Sequence, residues 1–189
     1  MRIPLFCLAA LAAGSMALVG CSTAPETTQE RHELTTDSKS AVSDFTSQDP
    51  GLNDLLKNSY GYAIFPSVGK GAAGIGASYG KGEVWAGEKR VGFADMTQAT
   101  IGASLGGQTF AELIVFRTPE ALQRFESGQY TFSATAAAVA VKAGAANSAR
   151  WEDDMAVFQD VKGGLMADAS IGGQKFNFTS IDSQNNNGQ

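Results

Sequence analysis

The spacing of apolar and polar positions changes several times along the chain, and each change predicts an element. Ala41 to Phe45 and Leu52 to Leu56 are short apolar stretches on either side of Pro50-Gly51, and they read as two short helices. Asp49 is placed to cap the second, with Pro50 at its first position. Tyr62-Ala63-Ile64-Phe65 is an apolar run that reads as a strand ending at Pro66. Thr118-Pro119-Glu120 carries three helix-start signals in sequence: an N-cap, a proline at the first position and an acid in the first turn. Leu122 and Phe125 then share one face, and Gly128 ends the helix.

The remaining pattern has period two. Ile75, Ala77 and Tyr79 alternate with Gly74, Gly76, Ser78 and Gly80. Ile101, Ala103 and Leu105 alternate with Thr100, Gly102, Ser104 and Gly106, and Leu165, Ala167, Ala169 and Ile171 alternate with Met166, Asp168, Ser170 and Gly172. This is the period of a strand, and the glycine-rich second face predicts sharp curvature or close backbone approach. Residues 134–141 stay open, because the alanines favour helix whereas Val139 and Val141 favour strand. There is also an internal echo. Residues 103–110, ASLGGQTF, recur 66 positions later as ASIGGQKF, with six of eight residues identical. The two copies are expected to occupy equivalent places in a pseudo-symmetric sheet. The fold class is therefore α+β, mainly β: a curved antiparallel sheet that could be barrel-like, with a few short helices.

The first twenty residues carry a different signal. Arg2 precedes seventeen uncharged residues, Ile3 to Val19, and Leu18-Val19-Gly20-Cys21 follows. A charged start, an apolar stretch and small residues at the cut describe a secretory signal. The tetrapeptide resembles the bacterial lipobox, after which the cysteine receives a diacylglyceryl thioether and becomes the acylated first residue of the mature protein. Ser22 rather than Asp follows, which by resemblance to enterobacterial lipoproteins favours the outer membrane, facing the periplasm or the cell surface. One acyl chain binds only marginally, at about 0.8 kcal/mol per buried CH₂, and stable anchoring takes a second signal. A triacylated Cys21 would meet that need. Cys7 and Cys21 are the only cysteines, so once Cys7 is removed and Cys21 acylated no thiol remains for a disulfide or a metal.

Charge and composition set further bounds. Without residues 1–20 the chain has 169 residues, 13 basic against 19 acidic, a formal charge of −6. Such a chain is a poor general binder of nucleic acid or of anionic membrane, and any anionic ligand would need a local basic patch. Residues 21–40 contain little to bury and read as the lipidated cysteine and a flexible tether of roughly 25 Å root-mean-square span. Residues 41–182 form the expected domain, and residues 183–189 form a polar tail.

Catalytic patterns match only by letter. Residues 76–80 and 102–106 both fit G-x-S-x-G, but a nucleophile elbow needs a strand–turn–helix context and a histidine base. The one histidine, His32, lies upstream in the tether. Residues 69–74 fit G-x-G-x-x-G, yet an alternating strand follows where a dinucleotide site requires a helix. Adjacent acids Glu152, Asp153 and Asp154 read as a solvated loop rather than a metal site, and no cofactor is implied. Glu112 interrupts the apolar run from Phe110 to Phe116; a carboxylate there is either on the exposed face of an edge strand, which is the expectation, or buried and paired. The chain is not expected to be an enzyme.

Residues 60–71, YGYAIFPSVGKG, then Gly80-Lys81-Gly82, Ile101-Gly102-Ala103, residues 162–166 and Ile171-Gly172-Gly173 resemble the SYLF domain over about residues 50–178. The family includes bacterial lipoproteins and eukaryotic proteins of actin patches and endocytic membranes. The resemblance implies a lipid-binding module, with phosphoinositides as the eukaryotic ligand and actin binding in some fungal members. For a bacterial envelope it implies affinity for anionic phospholipid head groups or acyl chains, and it transfers no residue set. The chain itself points to Lys70, Lys81, Lys89 and Arg90, which lie in one 21-residue stretch with only Glu83 and Glu88 as acids. Trp85, of a residue type that favours membrane interfaces, sits among them. Basic groups near an anionic surface contribute about 1 kcal/mol each, so these five residues are the expected lipid-facing edge. The rival expectation is a structural lipoprotein that binds another envelope protein and has no lipid affinity of its own.

Overall fold

A computed structural model describes residues 24–128, 131–132 and 138–182, with the backbone alone at 131–132 and 167–172. The predicted signal peptide, Cys21 and the polar tail lie outside the described residues.

Three strands dominate: β1 (Gly61–Ala86), β2 (Lys89–Phe116) and β5 (Met155–Ser180), of 26, 28 and 26 residues. They form an antiparallel meander with β2 in the centre, Gly61 opposite Phe116 and Phe116 opposite Met155. Two-residue strands β3 (Thr131–Phe132) and β4 (Val139–Ala140) cover the far edge of β5 at two heights. Helix α1 (Thr28–Gln48) and α2 (Gly51–Asn58) precede the sheet, and α3 (Pro119–Glu126) follows β2.

Straight strands of this length would run about 85 Å. Instead the sheet doubles back on itself near Gly74. A Cβ built on Gly82 would lie 2.5 Å from the Ile64 carbonyl oxygen, and one on Gly80 would lie 3.0 Å from that of Ser67. Below them Gly87 N–H donates to the Tyr60 carbonyl at 3.0 Å. The two halves of β1 thus lie side by side, and Gly80 and Gly82 sit where any side chain would push them apart. The bend falls where φ turns positive, at Gly74 (79°), Gly106 (122°) and Gly164 (102°), a region that glycine enters without steric cost. Gly74 stands opposite three residues of β2, between the pairs Ala73–Leu105 and Ile75–Ile101, so β2 takes the longer path round. The sheet is curved and not closed into a barrel.

The repeated sequence explains the symmetry of the bend. Ala103 of the first copy pairs with Ala169 of the second, so the copies run away from each other from the bend. Phe110 and Phe176, at their far ends, both return to the core. The core inside the fold contains Phe65, Phe110, Phe116, Phe125, Val157 and Phe176. A second core on the outer face joins Ile64, Leu113, Val115 and Phe158 to Ala41 and Phe45 of α1 and Leu52 of α2.

Several expectations are corrected. The three alternating segments are the middles of continuous long strands. The strand beginning at Tyr62 does not stop at Pro66: two β1 residues, Pro66 and Ser67, stand opposite Ala111 between the pairs Phe65–Glu112 and Val68–Phe110, and a bulge tolerates proline's missing N–H. Residues 28–40, read as tether, are the first part of α1, which runs on through Ala41 to Phe45. The Thr27 hydroxyl accepts from Glu30 N–H at 3.1 Å, while the Glu30 carboxylate accepts from Glu26 N–H at 2.9 Å. Ser38, Ala41 and Phe45 form the stripe that packs on the sheet. Asp49 does its capping one residue early: its carboxylate accepts from Gly51 N–H at 3.1 Å and from Ala146 N–H at 2.7 Å. The Thr118 cap and the Leu122–Phe125 face of α3 are as read from the sequence.

Candidate functional site

Above Phe110 and Met96 the doubled sheet projects beyond its core, and its polarity is reversed. Ile75, Ile101, Leu105 and Leu165 are 72%, 64%, 70% and 91% exposed. Between them on the same strands, Ser78, Gln98, Thr100 and Ser104 are buried, as is Gln174 on β5. The Ser78 hydroxyl donates to Gln98 Oε1 at 3.1 Å. Thr100 Oγ1, Ser104 Oγ and Gln174 Oε1 have no partner among the described residues. The alternation seen in the sequence is therefore turned outward, with apolar side chains in solvent and polar ones inside. Soluble sheets bury the apolar face, whereas strands that meet lipid show it. From Phe110 to Leu105, or Met96 to Ile101, the projection is five residues high, about 17 Å.

Glu112 lies at the base of this polar interior. Contrary to expectation it is fully buried, because β2 is central and the opposite half of the sheet closes over it. Gln159 Nε2 donates to Glu112 Oε2 at 2.6 Å, and Gln174 Nε2, from the facing half, donates to the same oxygen at 3.0 Å. Burial raises the carboxyl pKa, and the two amide donors pull it back only in part. Nothing in the residue types flanking Glu112 marks it as buried; the signal lies in Gln159, which the register sets opposite it, and in Gln174, which the doubling-back of the sheet brings over it.

The five residues of the expected lipid-facing edge divide into three groups. Lys70 is half-buried, four residues from the bend at Gly74. Lys81 lies seven residues below the bend, and Lys175 pairs across the sheet with Thr97, facing solvent. Lys89 is exposed at the opposite end, beside the β1–β2 turn. Lys70 and Lys89 stand about nine residue levels apart on the doubled sheet, roughly 30 Å. Trp85 and Arg90 belong to neither: they lie under α1 around the buried Glu83. Arg90 Nη1 donates to Glu83 Oε1, and the Thr35 hydroxyl donates to the same oxygen at 2.6 Å. Trp85 stacks on Tyr62 with ring centroids 6.2 Å apart and planes 8° from parallel.

The matches to catalytic patterns gain no support from their surroundings. Ser78 and Ser104 lie inside extended strands, and His32 is on the exposed side of α1. No helix among the described residues is long and apolar enough to cross a membrane.

No profile of a known protein family matches the chain. The chain is similar to beta cell expansion factor A of Aeromonas veronii, with 27% identity over 156 residues, covering 80% of this chain and 59% of that protein. It thus spans about three fifths of the length of this relative.

Proposed function

We propose that the chain is an acylated envelope lipoprotein, held through Cys21, whose domain binds phospholipid without catalysis by placing the apolar tip of its folded sheet among lipids. The observation that carries this reading is the reversed polarity of the tip. Its four large exposed aliphatic side chains leave about three whole side chains of apolar surface in water. At roughly 1.5–3 kcal/mol for each fully buried aliphatic side chain, transfer into hydrocarbon is a gain of several kcal/mol. The inward-facing serines, threonine and glutamines stay inside the fold and need no desolvation on entry.

The height of the tip limits what it can do. A spanning strand needs about 9–11 residues, and a bilayer core is about 30 Å thick. Five residues reach about halfway, which fits one leaflet. Lys70, Lys81 and Lys175 would then stand near the head groups and favour anionic lipid by about 1 kcal/mol each. Acylation would hold the tip near a surface, so that modest affinity suffices.

The test is co-sedimentation of residues 22–189, which lack the acylated cysteine, with zwitterionic and anionic vesicles at low and moderate salt. Binding to anionic vesicles that persists in part at moderate salt is expected from an apolar tip flanked by lysines. No sedimentation with either vesicle would overturn the reading and favour an envelope protein as the tip's partner.

A further inference from the structure

A second feature, on the outer face and away from the tip, has the character of a ligand site. Between α1 and the two halves of β1 lies a cleft of about 200 Å³, lined by Ser38, Lys39 and Val42 from the helix and Tyr62, Ile64, Glu83 and Trp85 from the sheet. A cleft of this size suits a small head group or metabolite.

Two groups in this cleft are unsatisfied. Glu83 is fully buried, and while Oε1 accepts from Arg90 and Thr35, Oε2 has no partner among the described residues. Ser38 is 2% exposed, and its hydroxyl also has no partner among the described residues. A buried carboxylate oxygen without a donor is costly, and the cost disappears when a ligand supplies one. A cationic donor serves better than a hydroxyl, since charge-assisted hydrogen bonds are about twice as strong as neutral ones. The flanking Trp85 and Tyr62 rings attract a cation through their faces. Burial first, and the neighbouring Glu83 second, raise the Tyr62 pKa. At the rim, exposed Lys39 makes no ion pair among the described residues, leaving one cation for an anionic group at the ligand's other end.

We infer that the cleft binds a small zwitterion with an ammonium at one end and a phosphate at the other, the ammonium donating to Glu83 Oε2 beside Trp85 and the phosphate meeting Lys39. This chemistry occurs both in a free phosphoamine and in the head group of a zwitterionic phospholipid. The site does not depend on the tip entering a bilayer, so the two readings can fail separately.

The experiment titrates residues 22–189 with phosphoethanolamine, following the indole N–H resonances by NMR, with Trp85→Phe to assign them. Inorganic phosphate and glucose are the controls. Saturable movement of the Trp85 resonance with a phosphoamine, and little with either control, is expected. Glu83→Gln should weaken binding about tenfold or more. Lys39→Glu, on an exposed position that leaves the fold intact, should weaken it about threefold to tenfold. Vesicles with ethanolamine head groups then separate the sources: competition by vesicles for free ligand assigns a lipid, and its absence assigns a soluble phosphoamine. No saturable movement in the millimolar range, an equal response to phosphate or glucose alone, or full affinity in both variants would overturn the inference. Tip substitutions should leave free-ligand binding unchanged.

Discussion

The doubled-back sheet can be tested at two glycines, Gly71 and Gly82, which lie in the same strand but in opposite surroundings. At Gly82 an added Cβ would lie 2.5 Å from the Ile64 carbonyl oxygen and 2.7 and 3.0 Å from Cδ1 and Cε1 of the Phe65 ring. The nearest of these is backbone, so Gly82→Ala can be accommodated only by parting the two halves of β1. Overpacking of this kind costs about 1–3 kcal/mol. At about 2–4 °C per kcal/mol for a chain of this size, the melting temperature should fall by roughly 2–12 °C. At Gly71 an added Cβ meets nothing within 4 Å among the described residues, and its φ is not left-handed. Gly71→Ala should instead stabilise by about 0.4–1 kcal/mol, since alanine restricts the unfolded chain. Gly69, equally open, should behave like Gly71 and serves as a second control. Thermal and urea unfolding followed by circular dichroism would measure all three variants. If Gly82→Ala were as well tolerated as Gly71→Ala, β1 would not fold back on itself as described.

Three further outcomes rest on buried or capping groups. Glu112 has a raised pKa in the folded state, so its contribution to stability is full below the ordinary carboxyl pKa and is lost as pH rises through the raised value. Glu112→Gln should therefore raise the urea midpoint at neutral pH and change it little in mild acid; a loss at neutral pH would contradict this. Asp49 has a lowered pKa, through the backbone amide of Ala146 first and despite burial, so its stabilisation is present above the ordinary carboxyl pKa and lost as pH falls. Asp49→Asn should lower the midpoint at neutral pH and converge with the parent in acid. Thr118→Ala removes the α3 cap, a 3.3 Å bond from Ala121 N–H, and should cost about 1 kcal/mol in the same assay.

What the sequence shows depends on whether the signal is local. Thr118-Pro119-Glu120 states its own structure, since cap, proline and first-turn acid act within four residues. The alternation around Ile75, Ile101 and Leu165 is equally plain as strand. Which face is inside is not written in it, because period two defines two faces and only the partner across the fold decides which one is covered. The same gap misplaces Glu112, whose partner Gln174 is 62 residues away. The first turns of α1 escape notice because their contacts are polar, such as Thr35 with Glu83, and a polar helix held by the sheet has the composition of a tether. The basic cluster is close in sequence but spread over both ends of the doubled strand, since sequence neighbours in a long strand separate by about 3.3 Å per residue.

The claim that the tip enters lipid is tested most directly by a single label. Residues 22–189 contain no cysteine, so Leu165→Cys places one environment-sensitive fluorophore at the tip, and Asn58→Cys, exposed at the C-terminal end of α2, places another at the opposite end. With anionic vesicles, the label at position 165 should shift to the blue and be quenched by quenchers carried on lipid acyl chains, while the label at 58 should do neither. Sedimentation with vesicles while the label at 165 keeps its aqueous spectrum, or an equal shift at both positions, would contradict insertion by the tip.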